Sequence, residues 1–333
     1  MNQKVAVVGA GAMGTACAWV LAHQPHVSVG LWARNVTFAG HIAETRENSR
    51  LLPGVRLPAH VDVSADAERI LRDAEIVVVC IPTRGIRQAM SILKPSVRPG
   101  AILVSAVKGI ETDSLKRPSE ILAEVMDDHP VVVLGGPCHA EEVARRLPAS
   151  IVAASECSES ATRVQSLFST EFLRVYTNAD QRGVELAGAL KNVIAIAAGI
   201  CDGLQYGDNA KAALLTRGLV EMKRFGMAMG ARQQTFSGLA GIGDLVTTCY
   251  SRHSRNRHVG ECLGRNQTLA EIEATTTAVA EGVHTARSVT DLAIQKGIEL
   301  PIAEEVRSVL FDQKSPRQAT EDLMKRPLRE EED

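Results

Sequence analysis

The feature that most constrains the fold is a glycine-rich turn near the start of the chain, where residues 9–14 read GAGAMG. An apolar run at residues 4–8 precedes the turn, and a helical pattern follows it through about residue 22. In such a GxGxxG segment the first glycine permits a tight turn, the second lets backbone amides approach a pyrophosphate, and the third lets helix and strand pack closely. The helix then directs free amides and its positive dipole end at the phosphates. The segment therefore predicts a dinucleotide-binding βα unit rather than a purely structural turn.

The second strand is predicted at residues 27–32, and the residues just beyond its end bear on the choice of cofactor. NAD enzymes place an acid on the ribose hydroxyl about 20 residues beyond the glycine turn. Here that region carries Arg34, with no carboxylate between Gly30 and Asn35. A guanidinium can pair with a 2′-phosphate, so the pattern favours NADP over NAD. A surface arginine without that role is the alternative.

Further apolar runs at residues 75–81, 101–105, 131–134 and 151–153 alternate with helical patterns over roughly 180 residues. This alternation predicts a mostly parallel, doubly wound sheet. Lys108 follows one run and Gly136 another, at the carboxyl ends of strands, where open α/β sheets bind ligands. Cys138 and His139 suggest a nucleophile pair, but no acidic or amide third residue stands nearby. A loop that contacts substrate through its backbone is the favoured interpretation.

From about residue 180 the pattern changes to long helical periodicity without a convincing strand. Helices are predicted at residues 181–202, 208–229, 269–273, 285–296 and 302–312. Thr268 with Glu271 fits a capping box, and Gly297 fits a helix stop. With 333 residues and 45% hydrophobic content, two domains are expected. The sequence therefore predicts an N-terminal Rossmann-like α/β domain over residues 1–180 and an all-α C-terminal domain over residues 181–333.

The helical pattern at residues 185–203 is apolar on nearly every side except at Lys191 and Asn192, so this helix should run through a core. Small residues at 187, 188 and 195 leave space beside the lysine, which a ligand can fill. A desolvated lysine is a tunable proton donor and acceptor. The alternative is a packed stem whose ammonium reaches a carboxylate or the surface, and this helix alone does not decide between the two.

A second chemically dense stretch lies at residues 236–257. Three glycines within residues 238–243 predict an irregular backbone just before the lone carboxylate of Asp244. Ser254, Arg255 and Asn256 then follow, and their hydroxyl, guanidinium and amide donors suit a phosphate. For the neighbouring Arg252 and Arg257, a solvated position in a basic loop is expected.

Bulk properties exclude several classes of function. The formal net charge of −2 gives no electrostatic case for nucleic acid or an anionic membrane surface as a partner. The seven cysteines show no metal-ligand spacing, so no metal site is expected and the thiols should be free in a reducing compartment. The chain enters its first strand without a charged leader, and polar residues interrupt the apolar helix short of a membrane span. A cytoplasmic location is therefore expected.

Taken together, the motifs closely resemble those of the bacterial NAD(P)-dependent glycerol-3-phosphate dehydrogenases, in the same order and over nearly the whole chain. They are GAGAMG at 9–14, LWAR at 31–34, VKG at 107–109, GP at 136–137, ALKN at 189–192, GLAGIGDLVTTCYSRHSRN at 238–256, EG at 281–282 and ELPI at 299–302. The resemblance implies reversible reduction of dihydroxyacetone phosphate to sn-glycerol 3-phosphate, which supplies the backbone of membrane phospholipids. It implies NADP or NAD as cofactor.

The resemblance also implies roles for individual residues. The proton-transferring lysine is Lys191, and Asp244 is expected to act in catalysis by orienting either that lysine or a substrate hydroxyl. Substrate contacts fall on eight positions: Lys108, Gly136, Cys138, Lys191, Asp244, Ser254, Arg255 and Asn256. Cofactor contacts fall on eleven: Gly9, Gly11, Ala12, Met13, Gly14, Arg34, Lys108, Ala140, Arg255, Val279 and Glu281. The chain departs from the family's usual pattern at two places. Ala12 and Met13 replace a hydroxyl residue and an aromatic residue, which leaves the pyrophosphate contact to backbone amides. Cys138 and His139 replace Ser or Thr followed by Phe, which leaves a side-chain contact to substrate open.

The resulting hypothesis is hydride transfer between nicotinamide and a small phosphorylated substrate, with Lys191 as general acid in reduction and general base in oxidation. A dehydrogenase of the 6-phosphogluconate or β-hydroxyacid type is one alternative, but it is not expected to carry the glycine, aspartate and SRN block. A non-catalytic nucleotide sensor is another, and it would have no need for both Lys191 and Asp244. The sequence leaves the oligomeric state open, with a homodimer among the choices.

Overall fold

A single eight-stranded sheet organises the first half of the computed structural model, which describes residues 3–275, 280–328 and 330–331. Its order is β3-β2-β1-β4-β5-β6-β7-β8, and neighbours are parallel except for the antiparallel pair β6 and β7. The strands are β1 (Gln3–Val8), β2 (Val27–Trp32), β3 (Asp62–Ser64), β4 (Ile76–Val79), β5 (Ile102–Ser105), β6 (Val131–Gly135), β7 (Ala149–Ala154) and β8 (Leu173–Asn178). The predicted doubly wound, mostly parallel sheet is confirmed.

The sequence did not predict the two outermost strands. Strand β3 has three residues, of which only Val63 is buried, and β8 alternates buried with exposed side chains. Edge strands face solvent on one side, so they lack the continuous apolar run that marks a central parallel strand.

Helices cover both faces of the sheet. Alternate residues of β1 enter different cores, with Val5 and Val7 on one face and Ala6 and Val8 on the other. This is the pattern expected of a strand buried on both sides. The helices of this half are α1 (Ala12–Ala22), α2 (Val36–Thr45), α3 (Ala67–Leu71), α4 (Thr83–Leu93), α5 (Pro118–Met126), α6 (Ala140–Val143) and α7 (Ser158–Phe168).

Among its described residues, the second half contains helices and connecting segments but no strand, as predicted. Its helices are α8 (Gln181–Gly203), α9 (Gly207–Ala228), α10 (Gln233–Phe236), α11 (Asp244–Tyr250), α12 (Arg255–Gly264), α13 (Leu269–Thr275), α14 (Glu281–Lys296), α15 (Pro301–Phe311) and α16 (Pro316–Met324). The capping box is confirmed, since the Thr268 amide donates to Glu271 Oε2 at 2.7 Å. Gly297, with φ of 66°, ends α14 as predicted. Helices α10, α11, α12 and α16 were not predicted, because they are short and largely polar.

Helix α8 is the centre of the helical half, with every residue from 183 to 200 buried. It is long and apolar enough to cross a membrane by length and composition alone, but 94% of its most apolar window is buried inside the protein. Helix α12 packs so closely against α8 that glycines on each helix lie against backbone atoms of the other. A Cβ on Gly199 would lie 1.9 Å from the Arg257 carbonyl oxygen, and one on Gly260 would lie 1.9 Å from the Ile196 carbonyl oxygen. This close crossing places the start of α12 beside the middle of α8.

Candidate active site

The centre of the site is a buried ion pair between the two helices that the sequence singled out. Lys191 lies in the middle of α8 with its side chain 6% exposed, and its Nζ donates to Asp244 Oδ1 at 2.8 Å. The same Nζ donates to Thr248 Oγ1 at 2.6 Å. Burial lowers the pKa of Lys191 to about 8, although the Asp244 carboxylate opposes that change. The lysine can therefore gain and lose a proton close to neutral pH.

A second lysine approaches Asp244 from the sheet. Lys108 follows β5, and its Nζ donates to Asp244 Oδ2 at 2.6 Å and to the Gly136 carbonyl oxygen at 3.0 Å. Burial alone would lower the pKa of Lys108, but the Asp244 carboxylate outweighs it and holds the pKa above its usual value. The pKa of Asp244 is raised by burial and lowered more strongly by the two lysines, so its net shift is downward. The carboxylate thus stays charged between two cations.

The space expected beside Gly188 is occupied by the chain itself. A Cβ at that position would lie 3.4 Å from Lys108 Cγ, because the lysine stem passes over this part of α8. The small residue therefore serves to bring the second ammonium to Asp244 rather than to leave room for a ligand there.

Asp244 owes its position to an irregular helical segment. Residues 239–243 form a π-helical turn that continues directly into α11, of which Asp244 is the first residue. A Cβ on Gly241 would lie 2.0 Å from the Phe236 carbonyl oxygen, so the turn requires glycine. The predicted backbone irregularity is confirmed. Thr248 lies one helical turn beyond Asp244 on the same face, and no sequence pattern pointed to it because α11 was not predicted.

The glycine turn between β1 and α1 has the features of a dinucleotide cradle. Gly9 has φ of +107°, and a Cβ on Gly14 would lie 1.8 Å from the Gly9 carbonyl oxygen, so the fold requires both glycines. Gly11 is different, because its Cβ would meet only the Cys80 carbonyl oxygen, at 4.0 Å. The protein does not need a glycine there, whereas a closely approaching pyrophosphate does. No side chain caps the first amides of α1, which begins at Ala12 and Met13.

Arg34 lies at the opposite end of the dinucleotide crevice from Lys108. It follows β2, which β1 and β4 separate from β5 in the sheet. Its side chain is exposed and has no hydrogen-bond or ion-pair partner within the described ranges. Asn35, the next residue, caps α2 by accepting a hydrogen bond from the Phe38 amide at 2.8 Å. A guanidinium held beside a helix N-terminus fits the adenosine end of an extended dinucleotide.

The loop after β6 carries three of the predicted contact residues. Gly136 has φ of +99° and offers its carbonyl oxygen to Lys108. Burial raises the pKa of the Cys138 thiol to about 12, which keeps it protonated at neutral pH and disfavours a nucleophilic role. Ala140 is buried and begins α6.

The segment predicted to bind phosphate is the start of a helix rather than a loop. Ser254 caps α12 by accepting a hydrogen bond from the Arg257 amide at 3.2 Å, and Asn256 Oδ1 accepts from the Gly282 amide at 2.9 Å. Arg255 is the exposed first residue of α12. The expected solvated position was wrong for Arg257, whose Nε donates to Asp202 Oδ2 at 2.6 Å. Sequence reasoning missed this pair because Asp202 belongs to a different helix.

One of the two remaining predicted cofactor contacts, Glu281, lies at the start of α14. Glu281 is its first residue, and burial raises the pKa of its carboxyl. A Cβ on Gly109 would lie 3.3 Å from Glu281 Oε2, so the segment after β5 and the start of α14 are in contact. Val279 lies outside the described residues. Within the described ranges, no group of three histidine, cysteine, aspartate or glutamate side chains is arranged to hold a metal ion.

Comparison with known proteins agrees with this geometry. The family model for the N-terminus of NAD-dependent glycerol-3-phosphate dehydrogenase matches residues 4–161, and the model for its C-terminus matches residues 180–321. The chain is 47% identical over 330 residues to a glycerol-3-phosphate dehydrogenase (NAD(P)+) of Chlorobium limicola, covering 98% of this chain and 99% of the relative. The crystal structure of glycerol-3-phosphate dehydrogenase from Coxiella burnetii superposes with a TM-score of 0.94 at 34% identity, covering 98% and 99% of the two chains. The chain therefore belongs to the NAD-dependent glycerol-3-phosphate dehydrogenase family.

Proposed function

We propose that this chain interconverts dihydroxyacetone phosphate and sn-glycerol 3-phosphate with NAD(P)(H), and so supplies glycerol 3-phosphate for phospholipid synthesis. The observation that carries the proposal is the triad of the buried Lys191 and Asp244 with the partly buried Lys108, at the carboxyl edge of a dinucleotide-binding sheet. A dehydrogenase of this kind needs one group that transfers a proton and a positive charge that polarises the substrate carbonyl. In the triad, Lys191 can transfer the proton and Lys108 can supply the charge.

The residues of the glycine turn fit a dinucleotide. Gly11 leaves room for a pyrophosphate, and the first amides of α1 are free to donate to it. We assign the cofactor site to this turn together with Arg34, Lys108, Ala140, Arg255, Val279 and Glu281. When bound, the nicotinamide supplies or accepts the hydride.

The catalytic role of the protein is to hold the substrate carbonyl and to move one proton. In reduction, Lys191 Nζ donates a proton to the carbonyl oxygen, and in oxidation it removes the hydroxyl proton. Asp244 fixes the position of this ammonium, and Lys108 places a second positive charge beside the developing alkoxide. Water exclusion strengthens these interactions, since Lys191 and Asp244 are both buried.

The substrate phosphate is assigned to the start of α12. Arg255 offers an exposed guanidinium, and Asn256 retains its amide nitrogen as a donor, because only its oxygen is used by Gly282. The Ser254 hydroxyl oxygen accepts a hydrogen bond from the Arg257 amide, which leaves its proton free to donate to a phosphate oxygen. Gly136 and Cys138 are assigned to the opposite wall, next to Lys108.

Several further assignments accompany this function. Arg34 is exposed and has no hydrogen-bond or ion-pair partner among the described residues, which supports a preference for NADP over NAD. Residues 1–180 are assigned to cofactor binding and residues 181–333 to substrate binding and catalysis. Lys108 belongs to the first range but is also assigned to the substrate site. We place the enzyme in the cytoplasm, where it acts on a small phosphorylated substrate and neither binds nucleic acid nor inserts into a membrane. It is proposed to assemble as a homodimer, which its mass in solution would test.

The test follows oxidation of NADPH and of NADH with dihydroxyacetone phosphate, and with unphosphorylated dihydroxyacetone as the comparison. The wild type is expected to turn over the phosphorylated substrate far better, and with NADPH better than with NADH. Lys191→Met is the matched inactive control, expected to lose about 10² to 10⁴-fold in kcat. Absence of wild-type turnover with dihydroxyacetone phosphate would refute the proposed function.

A further inference from the structure

His139 is a residue of the site that the proposed mechanism does not use. It lies in the loop between β6 and α6, next to Cys138. Its Nε2 atom is buried and has no hydrogen-bond partner among the residues that the structure describes. A buried polar atom without a partner costs its desolvation penalty, and one that lies in a functional site is a candidate to bind a ligand.

The ring of His139 packs against the helical half of the molecule. Its centroid lies 6.0 Å from that of His253, with the two ring planes inclined by 50°. His253 directly precedes Ser254, the residue that caps α12. His139 therefore joins the loop after β6 to the segment that is assigned to the substrate phosphate.

Charges of both signs surround His139, and the two lysines affect its pKa more strongly than the two glutamates. Burial is the largest cause that lowers its pKa, and Lys191 and Lys108 lower it further. The charged and titratable groups that face it come from four elements: Lys191 on α8, Lys108 after β5, Glu141 and Glu142 on α6, and His253 before α12. The imidazole is thus held neutral by its surroundings, in a region where an anion would be attracted.

We propose that His139 is a specificity-determining residue, whose Nε2 donates a hydrogen bond to the phosphate of the bound substrate. This rests on the proposed function, because it deepens the assignment of the same site. The negative charge of a bound phosphate outweighs the effect of the two lysines on His139 and favours its protonated form. The imidazole therefore takes up one proton from solvent as the substrate binds. The resulting charge-assisted hydrogen bond favours phosphorylated over unphosphorylated trioses.

Two variants separate this role from ring packing. His139→Phe keeps an aromatic ring against His253 but removes both nitrogens, whereas His139→Gln keeps a donor that cannot titrate. The matched control is His258→Phe, which changes an exposed histidine on α12 that contacts only Cys262 within the described hydrogen bonds.

The expected result for His139→Phe is a rise of about tenfold in KM for dihydroxyacetone phosphate, equivalent to about 1.4 kcal/mol. Its KM for NADPH and its activity on unphosphorylated dihydroxyacetone are expected to stay within about twofold, because a neutral ligand gains little from this donor. His139→Gln is expected to recover most of the loss, and His258→Phe to behave as the wild type. A rise in KM for NADPH instead would assign His139 to the cofactor and overturn the proposal.

Proton uptake provides a readout that a packing role would not change. Calorimetric titration of sn-glycerol 3-phosphate into the NADPH-loaded enzyme, a complex that cannot react, is repeated in buffers of different ionisation enthalpy at one pH. The wild type is expected to take up more protons than His139→Gln, since the titration of the phosphate itself is common to both. Equal proton uptake together with an unchanged KM in His139→Phe would refute the inference. The proposed function would survive that result, because it fails only if the wild type does not turn over dihydroxyacetone phosphate.

Discussion

At the scale of single residues, the chemistry depends on one carboxylate shared by two lysines. Asp244 accepts a hydrogen bond from Lys191 on one oxygen and from Lys108 on the other. At Lys191, burial and the neighbouring Lys108 outweigh the attraction of the carboxylate, whereas at Lys108 the carboxylate outweighs burial. Burial therefore lowers the pKa of Lys191 below that of an ordinary lysine, whereas Lys108 remains a fixed positive charge.

The pH dependence of the reaction should follow Lys191. Reduction needs the protonated lysine, so its kcat/KM is expected to fall as the pH rises through about 8, and oxidation needs the free amine and should rise over the same range. Asp244→Asn removes the group that raises the pKa of Lys191, so both transitions should move to lower pH by about 1 unit or more. The measurement is the pH profile of both directions in wild type and variant. A transition that moves to higher pH would contradict this account of the triad.

The glycine turn offers a test in which neighbouring glycines behave differently. Gly11→Ala should leave the free energy of unfolding within about 1 kcal/mol of the wild type, because the new Cβ meets no atom closer than 4.0 Å. It should weaken cofactor binding by about tenfold or more, since the methyl group occupies the space of the pyrophosphate. Gly14→Ala should instead destabilise the fold by about 3 kcal/mol or more, because its Cβ would collide with the Gly9 carbonyl oxygen. Denaturant unfolding and NADPH titration distinguish the two effects.

Arg34 provides the test of cofactor preference. Arg34→Ala should raise KM for NADPH by about tenfold or more and change KM for NADH little, since only NADPH carries the 2′-phosphate. The exposed Arg50, changed to alanine, is a suitable control for loss of a surface charge. Equal losses with both cofactors would assign Arg34 to the pyrophosphate or to the fold.

At the scale of secondary-structure elements, the crossing of α8 and α12 sets the geometry of the site. Helix α8 carries Lys191 and α12 begins at Arg255, so the distance between proton donor and phosphate site depends on how closely these helices pack. Gly199, Gly203, Gly260 and Gly264 line the crossing, where any Cβ would meet backbone atoms of the other helix within 2.7 Å. The four glycines are thus explained by a tertiary contact and not by local conformation.

Two glycine-to-alanine changes should therefore have opposite signs. Gly260→Ala should lower the free energy of unfolding by about 3 kcal/mol or more and reduce kcat/KM, because α12 must move away from α8. Gly40→Ala, in the interior of α2 with no atom within 4 Å of its Cβ, should raise the free energy of unfolding by about 0.5–1 kcal/mol through helix propensity. Denaturant unfolding and steady-state kinetics measure both. A well-tolerated Gly260→Ala would show that the crossing can relax without cost to the site.

At the scale of the whole molecule, two buried ion pairs join the sheet to the helical half. One is Lys108 with Asp244 in the site, and the other is Arg117 with Glu185. Arg117 immediately precedes α5, and Glu185 lies in the first turns of α8, where the Ser119 amide also donates to it at 2.8 Å. Because the carboxylate of each pair is buried and both cations are largely shielded from water, the pairs are less screened than surface contacts and help to fix the relation between the two halves.

The contribution of the second pair can be measured by removing one partner. Arg117→Met should lower the free energy of unfolding by about 3 kcal/mol or more, because it leaves the Glu185 carboxylate buried without its counter-ion. The neighbouring Lys116 pairs with Glu124 at the surface, with both side chains about 40% exposed, so Lys116→Met should cost less than about 1 kcal/mol. Denaturant unfolding of the two variants gives the comparison. Similar small effects would mean that the buried pair contributes little.

The amino-acid sequence by itself determined the features that depend on neighbours along the chain. The glycine turn, the apolar central strands, the capping box at Thr268 and the buried helix around Lys191 were all predictable, because periodicity, turn chemistry and burial leave a local pattern. The family resemblance then named both Lys191 and Asp244 as residues of the site. The edge strands β3 and β8 and the short helices α11 and α12 left too weak a pattern to be predicted.

Only the tertiary structure decided which side chains meet. It placed Lys108 over Gly188, gave Thr248 to Lys191, used the Ser254 hydroxyl as a helix cap and paired Arg257 with Asp202. The cap belongs to a helix that the sequence did not predict, and the other contacts join residues at least 55 positions apart, so no local pattern encodes them. The physical reason is that pKa values and hydrogen-bond partners depend on burial and distance in space, which are fixed only when the helices and the sheet pack together.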